Sequence, residues 1–183
     1  MKKVSQSLWT ILLVLSAFVL LQACATAPKL PEPKPGLYVN KEFRFSVEYP
    51  ENWLADTLQS EEEVLRVHFP NQWKIPVLTV NVAELSDDAE LTSKGFIEGA
   101  KASNPGAKRF KVLSEEMIKL NDGTPALALT WKWSWTDGVT KLQTGSVMAF
   151  RENISISTST TTVLGGDTTP EVLLSIAKTL KLY

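Results

Sequence analysis

Residues 125–135 read PALALTWKWSW, and the alternation in this stretch decides the fold. A period of two places Trp131, Trp133 and Trp135 on one face and Thr130, Lys132 and Ser134 on the other, which is the pattern of a strand rather than a helix. The neighbouring runs FKVLSEEMIKL (110–120), KLQTGSVMAF (141–150) and ISISTSTTTV (154–163) are also strand-like. Their connections, NDGT, TDG and REN, are short, and Asp-Gly supplies the positive backbone angles that tight hairpins require. The second half of the chain therefore predicts an antiparallel meander.

On the amino-terminal side, FRFSVEYP (43–50) sets Phe43, Phe45, Val47 and Tyr49 against Arg44, Ser46 and Glu48. Pro50 ends this strand, and Trp53 is expected to fold back over it. VLRVHFP (64–70) directs Leu65, Val67 and Phe69 inward, and PVLTVNVAEL (76–85) adds a further strand. Asp87 followed by Glu90 has the spacing of a helix start, so a helix is expected to run to Ser103, burying Leu91, Phe96, Ile97 and Ala100. Gly95 and Gly99 weaken it, and NPG (104–106) stops it. After LGGD, Thr168 or Thr169 is positioned to cap a last helix with Pro170 in its first turn and Leu173, Ile176, Ala177 and Leu180 along one stripe. This order predicts an α+β fold, an antiparallel β-sheet packed with two helices. The helix that interrupts the strands disfavours a closed barrel of the lipocalin kind.

The first residues have the layout of an export signal: Lys2 and Lys3, an apolar run from Leu8 to Leu21, then Ala23. The run is short for a membrane span, which takes about 20 apolar residues. Cys24, the only cysteine, follows at once, and LQAC (21–24) resembles the lipobox of bacterial lipoproteins, with Gln22 departing from the usual small or aliphatic residue. The resemblance implies cleavage before Cys24, a diacylglycerol on its sulfur and an acylated new amino terminus. Several acyl chains hold a protein on a membrane where one holds it weakly. The membrane is thus an expected partner through the lipid anchor at Cys24, and Ala25 in place of aspartate points to an outer-membrane address facing the periplasm. Residues 1–23 then form the signal, residues 24–36 the lipidated cysteine with a proline-rich spacer, and residues 37–183 the folded domain.

Without Lys2 and Lys3 the 19 basic and 20 acidic side chains give a net charge of −3, and no basic block occurs. Nucleic acid is not an expected partner, because phosphate binding needs clustered Lys and Arg. The chain resembles the PsbP-like family through Tyr38, Asn40, Phe43, Phe45, Val47, Tyr49, Pro50 and Trp53, through the hairpin residues Asp122, Gly123, Pro125 and Ala126, and through its central and terminal helices. The similarity covers roughly Leu37 to Tyr183 and implies a PsbP-like α/β/α sandwich. In that family most members bind rather than catalyse, lipid-like ligands among their targets, and no metal or partner site of the photosynthetic members can be matched to residues here.

Residue chemistry adds little toward catalysis. His68, the only histidine, falls beside Arg66 on the polar side of its strand and reads as a solvated or edge residue. A metal site would need further His or Cys ligands, so no metal and no cofactor is expected. Glu61 to Glu63, Asp87 with Asp88, and Glu115 with Glu116 read as solvated faces or caps. No catalytic residue is nominated. Core packing is the favoured reading of Trp131, Trp133 and Trp135, and the functional lead is the same three as ligand-binding residues, with Trp135, beside the hairpin, as the ring expected to be partly exposed. The expected function is that of an envelope lipoprotein whose non-catalytic domain binds an apolar or amphipathic ligand or an envelope protein. Alternatives are a hydrolase of envelope lipid or glycan and a structural subunit of an envelope complex.

Overall fold

The computed structural model describes residues 31–183 apart from 33, 57–59, 72, 87, 88, 136 and 167; the signal, Cys24 and most of the spacer lie outside the described residues. Within them the chain forms β1 (Leu37–Asn40), β2 (Phe45–Glu48), β3 (Leu54–Ala55), β4 (Glu63–His68), β5 (Val77–Glu84), α1 (Ser93–Ser103), β6 (Lys108–Lys119), β7 (Pro125–Ser134), β8 (Lys141–Arg151), β9 (Ile154–Val163), α2 (Pro170–Ala177) and β10 (Lys181–Leu182). This is the expected α+β arrangement of antiparallel strands and two helices. The strands form a large sheet in the order β3-β4-β5-β9-β8-β7-β6 and a small one in the order β1-β2-β10. The meander β6 to β9 thus closes onto the earlier strands through the long β5–β9 ladder, Val77↔Thr161 to Glu84↔Ile154.

One face of the large sheet is dry. Val67, Leu78, Val80, Ala126, Ala128, Val147 and Ile156 meet Ala177 and Leu180 from the α2 region and Phe45, Val47, Trp53 and Leu182 from the small sheet and its flank. Burying each large apolar side chain contributes about 1.5–3 kcal/mol relative to leaving it exposed. Gly145 lets α2 lie directly on β8: a Cβ there would collide with the backbone of Leu173 and Leu174. Thr158 Oγ1 donates to the Ala177 carbonyl at 2.8 Å, satisfying a helix-end acceptor from within the sheet. Thr169 caps α2 and Pro170 opens it, as the sequence pattern predicts.

The opposite face is covered over half its width. There α1 and the region around it lay Leu91, Phe96, Ile97 and Ala100 over Leu127, Leu129, Trp131, Trp133, Leu142 and Met148. These α1 side chains are half-buried rather than buried, and no α1 residue is fully enclosed. The helix also starts later than the Asp87–Glu90 spacing suggests: its cap is Thr92, whose hydroxyl accepts from Gly95 N at 3.1 Å. Ala89 N donates to the Ser86 carbonyl and Thr92 N to the Glu90 carbonyl, both ahead of the helix start. Asp87 itself lies outside the described residues. The other half of this face presents Thr79, Asn81, Ser155, Ser157, Ser159 and Thr161, all half-buried.

Candidate functional site

The aromatic stretch of β7 divides in two. Trp131 and Trp133 are 4% and 6% exposed, whereas Trp135 is 45% exposed. The inner pair is held on every side. Trp131 Nε1 donates to Ser146 Oγ at 3.0 Å and Trp133 Nε1 to Thr144 Oγ1 at 3.2 Å. These hydroxyls in turn pair with Ser159 at 2.9 Å and Thr161 at 2.9 Å across β9. Such partners are what a buried indole N–H needs. Phe110 lies parallel to both rings, 5.7 Å from Trp131 and 5.9 Å from Trp133, and Phe96 meets Trp131 edge-on at 5.8 Å. The β6–β7 register shifts between Lys108 and Lys111, where Arg109 has φ 58°. Phe110, two residues before Val112, the ladder partner of Trp131, falls on the tryptophan face by alternation just inside this bulge.

Burial thus follows the core-packing reading for Trp131 and Trp133, and of the three only Trp135, the ring expected to be partly exposed, presents itself to solvent. Trp135 rests on Trp133 with centroids 5.4 Å apart and tilted by 48°. Asp137 fixes the turn beyond it, accepting from Val139 N and Thr140 N at 2.9 Å each and from Thr140 Oγ1 at 2.6 Å. The hydroxyl and backbone donors of that turn hold the Asp137 carboxyl below the ordinary carboxylate range.

Trp135 has company at this end of the sheet. The ladder row His68–Val77–Thr161–Thr144–Trp131 marks a common level across five strands. Beyond that row lie Phe69 and Trp73 in the β4–β5 connection, Trp135 and Val139 in the β7–β8 hairpin, and Val163 and Leu164 at the end of β9; all six are exposed, Trp73 at 72% and Val139 at 79%. Leu54, paired with His68, is exposed at its flank. Phe69, expected to point inward with Leu65 and Val67, sits past the last ladder pair of β4 and is 39% exposed. Shallow depressions occur elsewhere, one between α2 and β6 lined by Leu113, Thr130, Pro170 and Leu174.

His68 is not solvated or free at an edge, as its place beside Arg66 suggested. It is 5% exposed, its Nδ1–H donates to the Phe69 carbonyl at 2.7 Å, and its Nε2 faces Asp56 Oδ1 at 3.4 Å. Lys74 Nζ donates to the same Asp56 oxygen at 2.7 Å. That hydrogen bond is the leading reason the Asp56 carboxyl is held below its ordinary value. The short β3 brings Asp56 to this point, and no periodicity in the sequence signals a two-residue strand. Glu63 also departs from its reading as a solvated acid: it is buried and pairs with Arg66 at 2.6 Å. Among the described residues no group of three His, Cys, Asp or Glu is placed to hold a metal ion, and no helix is long and apolar enough to cross a membrane.

No family model matches the chain, and no curated protein does. Among solved structures, a protein from Bacteroides thetaiotaomicron is similar with a TM-score of 0.50 at 14% identity, over 82% of this chain and 49% of that one. The chain thus spans about half the length of that neighbour, and the likeness concerns the fold alone. A protein of unknown function from Pseudomonas aeruginosa aligns with a TM-score of 0.41 at 18% identity, over 70% of this chain and 82% of that one.

Proposed function

We propose that this protein is an envelope lipoprotein, tethered through Cys24 and facing the periplasm from the outer membrane, whose body binds an apolar or amphipathic ligand and performs no catalysis. The observation that carries the binding reading is the split within one strand. Trp131 and Trp133 spend their N–H groups on Ser146 and Thr144, while Trp135, on the same face, leaves the core and stands open among five other exposed apolar side chains. Exposed apolar side chains gathered at one end of a sheet mark an interaction site more often than scattered single ones do. The placement of α1 and α2 on opposite faces of the sheet supports the PsbP-like α/β/α sandwich, and with it the binding character that the resemblance implies.

The reading is tested by native mass spectrometry of the chain starting at residue 24. A bound amphiphile is expected on the wild type and lost on Trp135→Ala, with the melting temperature little changed. A ligand-free wild type, or a ligand retained equally by Trp135→Ala, contradicts it.

A further inference from the structure

The apolar end of the sheet is a row of tips rather than a cleft. Phe69, Trp73, Trp135, Val139, Val163 and Leu164 come from three separate chain segments, and the depression between α2 and β6 is lined by none of them. From β4 to β7 the row crosses four strand spacings, about 20 Å. A single amphiphile seated at Trp135 covers only part of a row that long. A flat, deformable, apolar partner meets all of them together. Two of the six are tryptophans, the residue type enriched where an apolar phase meets water. Exposed Lys74 and Lys141 border the tips, and Lys74 is already paired with Asp56, so charge attraction is not the main force.

The chain outside the described body fits the same partner. Residues 25–33 separate Cys24 from the Lys34–Leu37 turn, which already belongs to the body through the Gly36 carbonyl and Tyr49 N, and an extended proline-rich chain of that length would reach about 28 Å. A tether of that length does not by itself fix which side of the body meets the bilayer. The apolar tips decide which side settles there.

From this placement we infer that the β4–β5, β7–β8 and β9 tips form a bilayer-seating rim, inserting Trp73, Trp135 and Val139 into the interface of a lipid surface. The inference rests on the reading of Trp135 as the binding point and names the lipid surface as what is bound. Insertion is shallow, of the order of the 5–10 Å that interfacial apolar groups reach. It depends on apolar area, so it operates on zwitterionic lipid.

The test uses the chain from residue 24 with Cys24→Ser, so that no acyl chain contributes, and phosphatidylcholine vesicles in a flotation assay. The protein is expected to float with the vesicles, and brominated phosphatidylcholine is expected to quench its tryptophan emission. The double variant Trp73→Asp, Val139→Asp is expected to partition about tenfold or more weakly, because a carboxylate at the interface opposes insertion. Met117→Asp, on the exposed β6 edge away from the rim, is the matched control and is expected to leave partition unchanged. Thermal melts of all three confirm folding. Absence of flotation at millimolar lipid, or equal partition of the rim and control variants, overturns the inference. So does a rim variant that keeps its partition and loses a stoichiometric cross-linked protein, which would make the rim a protein interface. Lipidation at Cys24 and a co-purifying amphiphile are read in separate experiments, and either can fail while partition into vesicles holds.

Discussion

The two faces of the large sheet are built to different standards. On the α2 side the contact is backbone to backbone: Gly145 gives α2 its seat, Thr158 ties the helix end, and the small sheet fills the remaining width with Phe45, Val47 and Leu182. On the α1 side a weakly buried helix rests on an aromatic stack, half of the face is left to serine and threonine, and the stack runs out into solvent at Trp135. The first face is held by close backbone contact. The second has aromatic surface to offer, which is why the binding reading is placed at its edge.

The sharpest way to break this comparison is at Gly145. A leucine there would drive its side chain into the backbone of Leu173 and Leu174, and Gly145→Leu is expected to yield no cooperatively folded protein by circular dichroism. Trp131→Ala, on the opposite face, removes a large buried ring and a hydrogen bond to Ser146, and is expected to cost about 3–5 kcal/mol in urea unfolding while leaving the topology intact. If Gly145→Leu folded normally, or Trp131→Ala were the more damaging change, the assignment of the two faces would be reversed.

The smallest effect concerns pH. The Asp56 carboxyl is lowered by its hydrogen bond from Lys74, so in the folded state it holds its charge to lower pH than in the unfolded chain. Its contribution is then complete above the ordinary carboxylate value of about 3.9 and is lost as pH falls below that, through the lowered folded value. The stability gap between wild type and Asp56→Asn is expected to be constant near neutrality and to shrink below about pH 4 in urea titrations. A gap that widens in acid would mean that Lys74 and His68 do not hold Asp56 as described.

Much of the fold was legible because period-two alternation is a direct imprint of a half-buried strand. ISISTSTTTV occupies β9 end to end, and Pro170 with Thr169 marks the start of α2. What escaped notice depends on distance in space rather than in sequence. Two-residue strands such as β3 and β10 are too short to carry a period, so the burial of His68 against Asp56, twelve residues away, had no local signal. Gly145 inside a strand is the one overlooked clue that was visible in the sequence, since glycine there often marks the close approach of another backbone. The candidate site was half legible. Alternation put three tryptophans on one face, and the hairpin after Trp135 marked it as the exposed one, but burial of the other two followed from Phe110 and α1 closing over them. The rim had no sequence signature at all, because its members come from three connections that only the β5–β9 and β8–β9 ladders bring to the same level.

The account depends most on the body being tethered, and intact-mass measurement of the protein extracted from cell membranes tests that directly. The expected result is a chain beginning at Cys24 and carrying the added mass of a diacylglycerol and an amide-linked acyl group. A chain with an unmodified Cys24 thiol, or one that retains residues 1–23, would contradict it.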